Sequence, residues 1–546
     1  MEHLIESYIK NFPKYGEQKA VTDDCGFFTY NQLFKFACNV AGNLNLSGVK
    51  YGDRIILKVR RSKEYVGCLV AIWFVGGVAI PLTDDYPKDR LEFIKKDSNC
   101  KLIIDDNYLS KIDKKTTAKP IIPNINDDSI IVYTSGSSGN PKGVIHTYHS
   151  MTETTIRNET FEKKDKSEKN EIVGLIPPFT FIAGIGTTMS TLKFGQNLVI
   201  APDEIRKDPF KLAKFYDDYD IQSSYIPPRM AEFMVKHNKS LKIFSVGSER
   251  ITNLFFNNHP VLLNFYGSTE TFAGVMYFNI DKPYDNTPIG KTFAKEKAYI
   301  LDENLNEVEQ GELCLTGVFA RGYLNLKEES ERAFIPNPFK DRDGFETMFR
   351  TKDLARKLPD GNIVFVERKD WMIKINGQRV EPLEIESTIR KLKGIKKVAV
   401  KDFTTPNGVT FLVAYFISDE KINEEIVKNH CKKNLTSYMV PTYYIKMNEF
   451  PTNSNGKLDR KNLPQPKLEE YKREYVAPTS KIEKRVCQVI EDVLGCGKVG
   501  RNDDFFLLGG DSVKSLELVN ALDDVRIDVA MIFKGIDTEG LGKLIE

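Results

Sequence analysis

The sequence contains no run of about 18 apolar residues, so it offers no membrane-spanning helix. Its first stretch, MEHLIESYIKNFPKYGEQ, is mixed and charged, without the apolar segment of a secretory leader. An excess of charge is also missing: 78 Lys and Arg stand against 76 Asp and Glu, and the lysines are spread along the chain. That balance argues against a broad nucleic-acid or anionic-membrane surface, which needs clustered basic charge. None of the eight cysteines forms a C-x-x-C pair. Reduced, mostly structural thiols in a cytoplasmic protein are the expectation.

What is present is ordinary for a globular protein: 41% hydrophobic and 28% charged residues over 546 positions. At one domain per about 150 residues, the length predicts two to four domains. Up to about residue 350, short apolar runs alternate with amphipathic stretches. They are DRIILKV (53–59), KLIIDD (101–106), SIIVYT (129–134), EIVGLI (171–176), QNLVIA (196–201) and LKIFSVG (241–247). The rhythm predicts parallel α/β architecture, with ligands at the loops that follow the strands. Residues 360–375 read as a hairpin, GNIVFVE turning through RKD into WMIKI. KKVAVKDF and TFLVAYFI predict strands of a smaller α+β unit closing near residue 464. PQPKLEEYKREYVAPTS is rich in proline and charge and reads as a linker. KIEKRVCQVIEDVLG, beyond it, has apolar residues at helical spacing and opens a small helical domain.

Two segments carry chemistry on their own terms. YTSGSSGNPKGV (133–144) leaves a strand-like run through Thr134, Ser135, Gly136, Ser137, Ser138 and Gly139 to Lys142. Glycines let backbone N–H groups approach phosphate oxygens, hydroxyls add donors, and lysine supplies a mobile point charge. The Walker pattern is absent. Taken alone, the loop fits phosphate binding or a plain surface loop. DDFFLLGGDSVKSLEL (503–518) sets Ser512 at the start of an apolar-periodic helix, where an attached phosphate would be favoured. Taken alone, Ser512 also fits a simple N-cap.

The phosphate-type loop resembles that of the adenylate-forming superfamily of acyl- and aryl-CoA ligases, luciferases and nonribosomal peptide synthetase adenylation domains. VGGVAIPLTDDYP (75–87), NFYGSTET (264–271), GELCLTGVFARGYLN (311–325), the segment 349–386 and PTNSNGKLDRKNL (451–463) match in the family's order. The segment around Ser512 resembles the phosphopantetheine attachment site of carrier domains. These resemblances imply an α/β fold with a large multi-lobed N-terminal adenylation core (1–369) and a small α+β C-terminal subdomain (370–463). A linker (464–479) and a four-helix-bundle-like carrier domain (480–546) would follow.

They also imply roles. ATP would lie against the phosphate loop and Gly247, Ser248, Glu249, Asn264, Tyr266, Gly267 and Thr269. Glu270 would hold Mg²⁺ as a hard oxygen ligand. Asp353 and Arg368 would bind the ribose, and Lys457 would be the catalytic cation. Asp370 would be the hinge, Lys374 would serve thioester formation, and Ser512 would carry 4′-phosphopantetheine. Two positions depart from the family: Lys352 stands where glycine is usual, and Glu367 precedes Arg368 where Gly-Arg is usual.

Amino-acid-activating relatives place an aspartate early in the pocket to pair with the substrate ammonium. Counting back from Gly195, that place falls on Ile182, or on Thr180 with the spacing of aryl-acid and acyl-CoA ligases. Neither is acidic, and a buried ammonium without a carboxylate is costly. The other pocket positions are Ala183, Gly186, Tyr225, Phe244, Val246, Phe265, Ala273 and Gly274, an apolar lining suited to an aryl or medium aliphatic acid. The expectation is ATP-dependent activation of a carboxylic acid lacking a free α-amino group, with AMP and pyrophosphate released. The acyl group would pass to the chain's own carrier. Partners would be a phosphopantetheinyl transferase and a downstream condensation or acyl-transfer protein. An amino-acid-activating module with an atypical pocket and an acyl-CoA ligase stand as alternatives.

Overall fold

The computed structural model describes residues 1–83, 86–136, 140–159, 171–206, 208–256, 261–339, 344–369, 372–375, 378–404, 410–418, 422–451, 458–466, 475–495, 497–501, 503, 505, 508, 510 and 512–522. They form two compact units. The first comprises 1–202, 215–388 and 431–439, and the second 203–214, 389–430 and 440–546.

In the first unit, α1 (Tyr30–Leu46) begins with a capping box, Thr29 accepting from the Gln32 backbone while the Gln32 side chain returns to Thr29. Next, α2 (Lys63–Phe74) is buried along nearly its whole length, as its Val-, Ile- and Trp-rich sequence demands. A hairpin of β1 (Asp128–Thr134) and β2 (Lys142–Thr147) belongs to a six-stranded sheet. The phosphate-type loop is the connection between these two strands. Helix α3 (Tyr148–Asn158) is capped by Thr147 directly after β2.

A nine-stranded sheet holds β3 (Ile172–Leu175), β4 (Asn197–Ile200), β5 (Ser223–Tyr225), β6 (Ile243–Gly247), β7 (Val261–Ser268) and β8 (Ala273–Asn279). Strands β7, β6, β5, β3 and β4 lie side by side and parallel, and β8 closes antiparallel on β7. Between β3 and β4 runs α4 (Ile182–Phe194), ended by Gly195 at φ 76°. It packs against β3, β4 and β8. All six apolar runs read from the sequence are strands of these two sheets.

One expectation is corrected. β10 (Ile363–Arg368) does not pair with the strand after it. It pairs back, antiparallel, with β9 (Thr347–Lys357), while β11 (Ile373–Ile375) pairs forward with β12 (Gln378–Val380). β9 is long enough to supply the ladder partner that a short following strand cannot.

The second unit contains β13 (Ile395–Thr404), β14 (Thr410–Ser418) and β15 (Tyr443–Lys446) in one sheet, the first pair antiparallel and the second parallel. It also holds α5 (Lys481–Leu494) and α6 (Ser512–Ala521). Val486, Val489, Ile490, Phe505 and Leu518 form the small core under these helices. None of the seven described cysteines is in a disulfide. No described helix is long and apolar enough to cross a membrane.

Candidate active site

A cavity of about 430 Å³ opens in the first unit, lined by residues of the nine-stranded sheet, α4, the phosphate-type loop, β9 and β10. Gly136 and Lys142 line it. Ser135 is buried, and its hydroxyl donates to the Arg379 carbonyl at 2.8 Å. The Gly136 N–H donates to Glu384 at 3.3 Å, and Glu384 pairs with the buried Arg90. Thr134 Oγ1 is buried and makes no hydrogen bond among the described residues. Ser137, Ser138 and Gly139 lie outside the described residues.

Glu270 is the electrostatic centre of the cavity. It is 1% exposed. Its Oε1 accepts from the Tyr323 hydroxyl at 2.8 Å and from Arg379 at 3.3 Å, with Lys142 Nζ at 3.5 Å. Burial alone would raise its carboxyl, but Lys142 and Arg379 outweigh burial and hold it well below the usual range. Burial, with Arg379 adding repulsion, pushes the Lys142 ammonium down to about 8. Lys142 also sits over the Tyr323 ring, 3.9 Å from its centroid. The second oxygen, Oε2, is buried without a hydrogen bond among the described residues. A hard anionic oxygen left unpaired beside phosphate-type donors fits a magnesium ligand.

Glu270 is carried on a tight turn between β7 and β8. Phe272 and Ala273 adopt φ 54° and 69°, and Thr271 Oγ1 closes the turn on Ser268 and Ala273. Arg157 donates to the Thr271 carbonyl at 2.9 Å, and buried His146 reaches the Thr269 carbonyl through Nε2 at 2.7 Å. Gly267 is required here, because a Cβ would fall 1.9 Å from the Ala273 carbonyl oxygen.

Across the cavity, Arg368 donates to Asp353 Oδ1 at 2.6 Å, and the Tyr266 hydroxyl donates to Asp353 Oδ2. β9 and β10 place the pair opposite each other, with Asp353 and Arg368 as ladder partners. Gly267 and Thr269 line the same space, as does Lys374, whose ammonium burial pushes down. Ser248 lines it at φ 67°, its hydroxyl 2.8 Å from Tyr225 Oη. Gly247 and Glu249 are adjacent but off the wall. Asn264 is also off the wall: its amide donates to the Pro288 carbonyl at 2.8 Å, and alternation along β7 sets it on the face opposite Leu263 and Phe265.

Of the acid-pocket positions, Ile182, Ala183, Gly186, Tyr225, Phe265, Ala273 and Gly274 line the cavity. Thr180, Phe244 and Val246 do not. Successive side chains of a strand point to opposite faces, so on β6 it is Ile243 and Ser245 that face the cavity. Phe244 and Val246 are in the core instead. Arg379 and Tyr323, which hold Glu270, escaped the sequence reading. Each is one residue in a short strand and carries no pattern that sets it apart. Lys457 and Asp370 lie outside the described residues, as does the side chain of Ser512, which is the first residue of α6.

The AMP-binding enzyme family model matches residues 10–324, its C-terminal domain matches 384–457, and the phosphopantetheine attachment site matches 484–538. The chain belongs to the AMP-binding enzyme family, with a phosphopantetheine attachment-site domain after it. Bacitracin synthase 1 of Bacillus licheniformis is 32% identical over 570 residues, covering 99% of this chain and 11% of that protein. Surfactin synthase subunit 2 of Bacillus subtilis is 30% identical over 564 residues, covering 98% and 15%. The chain thus spans a small fraction of the length of these relatives. Among solved structures, it is similar to a holo nonribosomal peptide synthetase protein of adenylation and PCP domains bound to a vinylsulfonamide inhibitor. That match has a TM-score of 0.79 at 21% identity, covering 99% of this chain and 97% of the other. It is also similar to NpsA–ThdA, an artificially fused adenylation–PCP didomain from Klebsiella oxytoca. There the TM-score is 0.73 at 20% identity, covering 81% and 93%. These two likenesses show the fold.

Proposed function

We propose that the chain activates a carboxylic acid lacking a free α-amino group as its acyl-adenylate, then loads it onto its own carrier domain. The observation that carries the substrate reading is Ile182, an apolar residue on the cavity wall where a carboxylate would be needed to pair an α-ammonium. Four acidic side chains, Glu171, Glu270, Glu329 and Asp353, line the cavity, and none lies on α4. Glu270 and Asp353 are already tied to basic or hydroxyl partners.

The acid's carboxylate oxygen attacks the α-phosphorus of ATP, and the bond to the bridging oxygen breaks to free pyrophosphate. Lys142 offers positive charge to the phosphates. Arg368 and Tyr266 hold Asp353 in a set position, from which it would accept from the ribose hydroxyls. Glu270, with Thr269 beside it, would hold Mg²⁺, which supplies charge neutralisation at the leaving phosphates. Lys457 is assigned the charge developing on the transferring phosphoryl group. Ser512 would carry phosphopantetheine, whose thiol supplies the nucleophile that takes the acyl group and frees AMP. Priming that serine calls for a phosphopantetheinyl transferase, and the thioester calls for a downstream acceptor protein.

ATP–pyrophosphate exchange across a panel of acids tests the reading, with mass spectrometry of the Ser512 peptide for the second step. Exchange led by aryl or aliphatic acids, and acyl mass on the holo chain, are expected. A strong preference for a simple α-amino acid would defeat the substrate assignment.

A further inference from the structure

The cavity does not end at Ile182. It continues along one face of α4, which presents Ala183, Gly186, Thr187, Ser190 and Thr191 to it. Those spacings of three and four residues are one side of a helix, and every residue on it is small. From Ile182 to Thr191 the helix rises about 13 Å. That is more than one aromatic ring occupies.

Gly186 is informative. In a helix interior, glycine is less favourable than alanine. Here a Cβ would meet nothing nearer than the Ala273 Cβ, at 3.6 Å, so neither packing nor backbone conformation demands glycine. What the missing side chain leaves is open space in the channel.

The opposite wall is formed by Val173, Ser223, Ser245 and Leu263, from four parallel strands. Hydroxyls therefore face the channel from both sides. At its far end are Glu171 and Gln196, the Gln196 amide donating to Glu171 Oε2 at 3.0 Å. Asn158 stands there too, donating to Ser190 Oγ at 2.7 Å. A plain hydrocarbon chain would leave this end unmatched. A terminal hydrogen-bond donor would meet a carboxylate.

Resting on the acid-activating reading above, we infer that the substrate is a slender, extended acid whose distal end carries an amino or hydroxyl group, read by Glu171. Its carboxylate lies by the phosphate loop and its chain runs along α4.

The test is ATP–pyrophosphate exchange by the full chain with ω-amino-octanoic, ω-hydroxyoctanoic, octanoic, benzoic and propionic acids. The first two are expected to exceed octanoic and benzoic acids by tenfold or more in kcat/KM, and their ranking tells amine from hydroxyl. Ser190→Phe should lower the ratio of long-acid to propionic-acid kcat/KM at least tenfold, and Glu171→Gln should erase the advantage of the terminal donor. Propionic-acid exchange in each variant reports folding, and the wild-type ranking stands without any variant. Benzoic or propionic acid leading in the wild type, with the long-acid ratio untouched by Ser190→Phe, overturns this inference and leaves acid activation standing. No exchange with any acid overturns the acid-activating reading itself.

Discussion

Arg379 Nη1 lies 3.3 Å from Glu270 Oε1, so a guanidinium stands on the carboxylate assigned to the metal. Arg379 is anchored in turn by Glu381 at 2.7 Å. Glu270→Gln keeps the shape of this group and removes its charge. Pyrophosphate exchange is expected to slow by about a hundredfold or more, and Mn²⁺ binding followed by electron paramagnetic resonance should weaken with it. Exchange within about twofold of wild type would remove Glu270 from the metal role.

Asp353 accepts from Arg368 and Tyr266 at once. Asp353→Asn leaves the charged Arg368 head without its partner and weakens the ribose acceptor. A rise in KM for ATP of roughly tenfold is expected, in keeping with 1.5–3 kcal/mol for a hydrogen bond to a charged group. Initial-rate exchange measurements at varied ATP check it.

Lys142 gives a pH signature. With its value near 8 rather than 10.5, the ammonium is charged below about pH 8 and loses its proton above it. The kcat/KM for ATP should therefore fall as pH rises through about 8, and Lys142→Arg should remove that inflection. The stability sign is opposite. The unfolded chain holds the extra proton between about 8 and 10.5, so this group costs the fold stability at neutral pH and the cost fades as pH climbs through that window. A profile unbroken to about pH 10 would count against a buried Lys142.

Lys352 occupies a left-handed conformation, φ 62°, which glycine adopts most readily. Left-handed backbone costs a residue with a Cβ about 1–2 kcal/mol. Lys352→Gly is expected to be about 1 kcal/mol more stable than Lys352→Ala in urea unfolding. Equal midpoints would mean that the strain is absent.

Gly267→Ala should do the reverse. A methyl group 1.9 Å from the Ala273 carbonyl oxygen must push the turn apart. A loss of about 2 kcal/mol or more is expected, along with most of the exchange activity, because Glu270 rides on that turn. Thermal melting and exchange should fall together.

Much of this was legible in the chain. Each apolar run from 53–59 to 241–247 became a strand of four to seven residues, because so short an apolar run bounded by turn residues leaves little other choice. Ala183 and Gly186 were legible as pocket positions, and both line the cavity. Lost was what depends on facing: Phe244 and Val246 share β6 with Ile243 and Ser245, and only neighbouring strands decide which pair meets the cavity. The pairing of β10 with β9 was hidden for the same reason, since the nearer candidate in sequence was the wrong one. Arg379 was out of reach because its partner is more than a hundred residues away.

His146 supports the Glu270 turn from behind, joined to the Thr269 carbonyl. Burial pushes its imidazole down to about 4, so it stays neutral in the fold while an unfolded chain would take up a proton near 6.5. Acidification through that interval therefore favours unfolding. Acid would thus loosen the turn that carries Glu270 through a ring outside the cavity lining, without displacing anything bound in front of it.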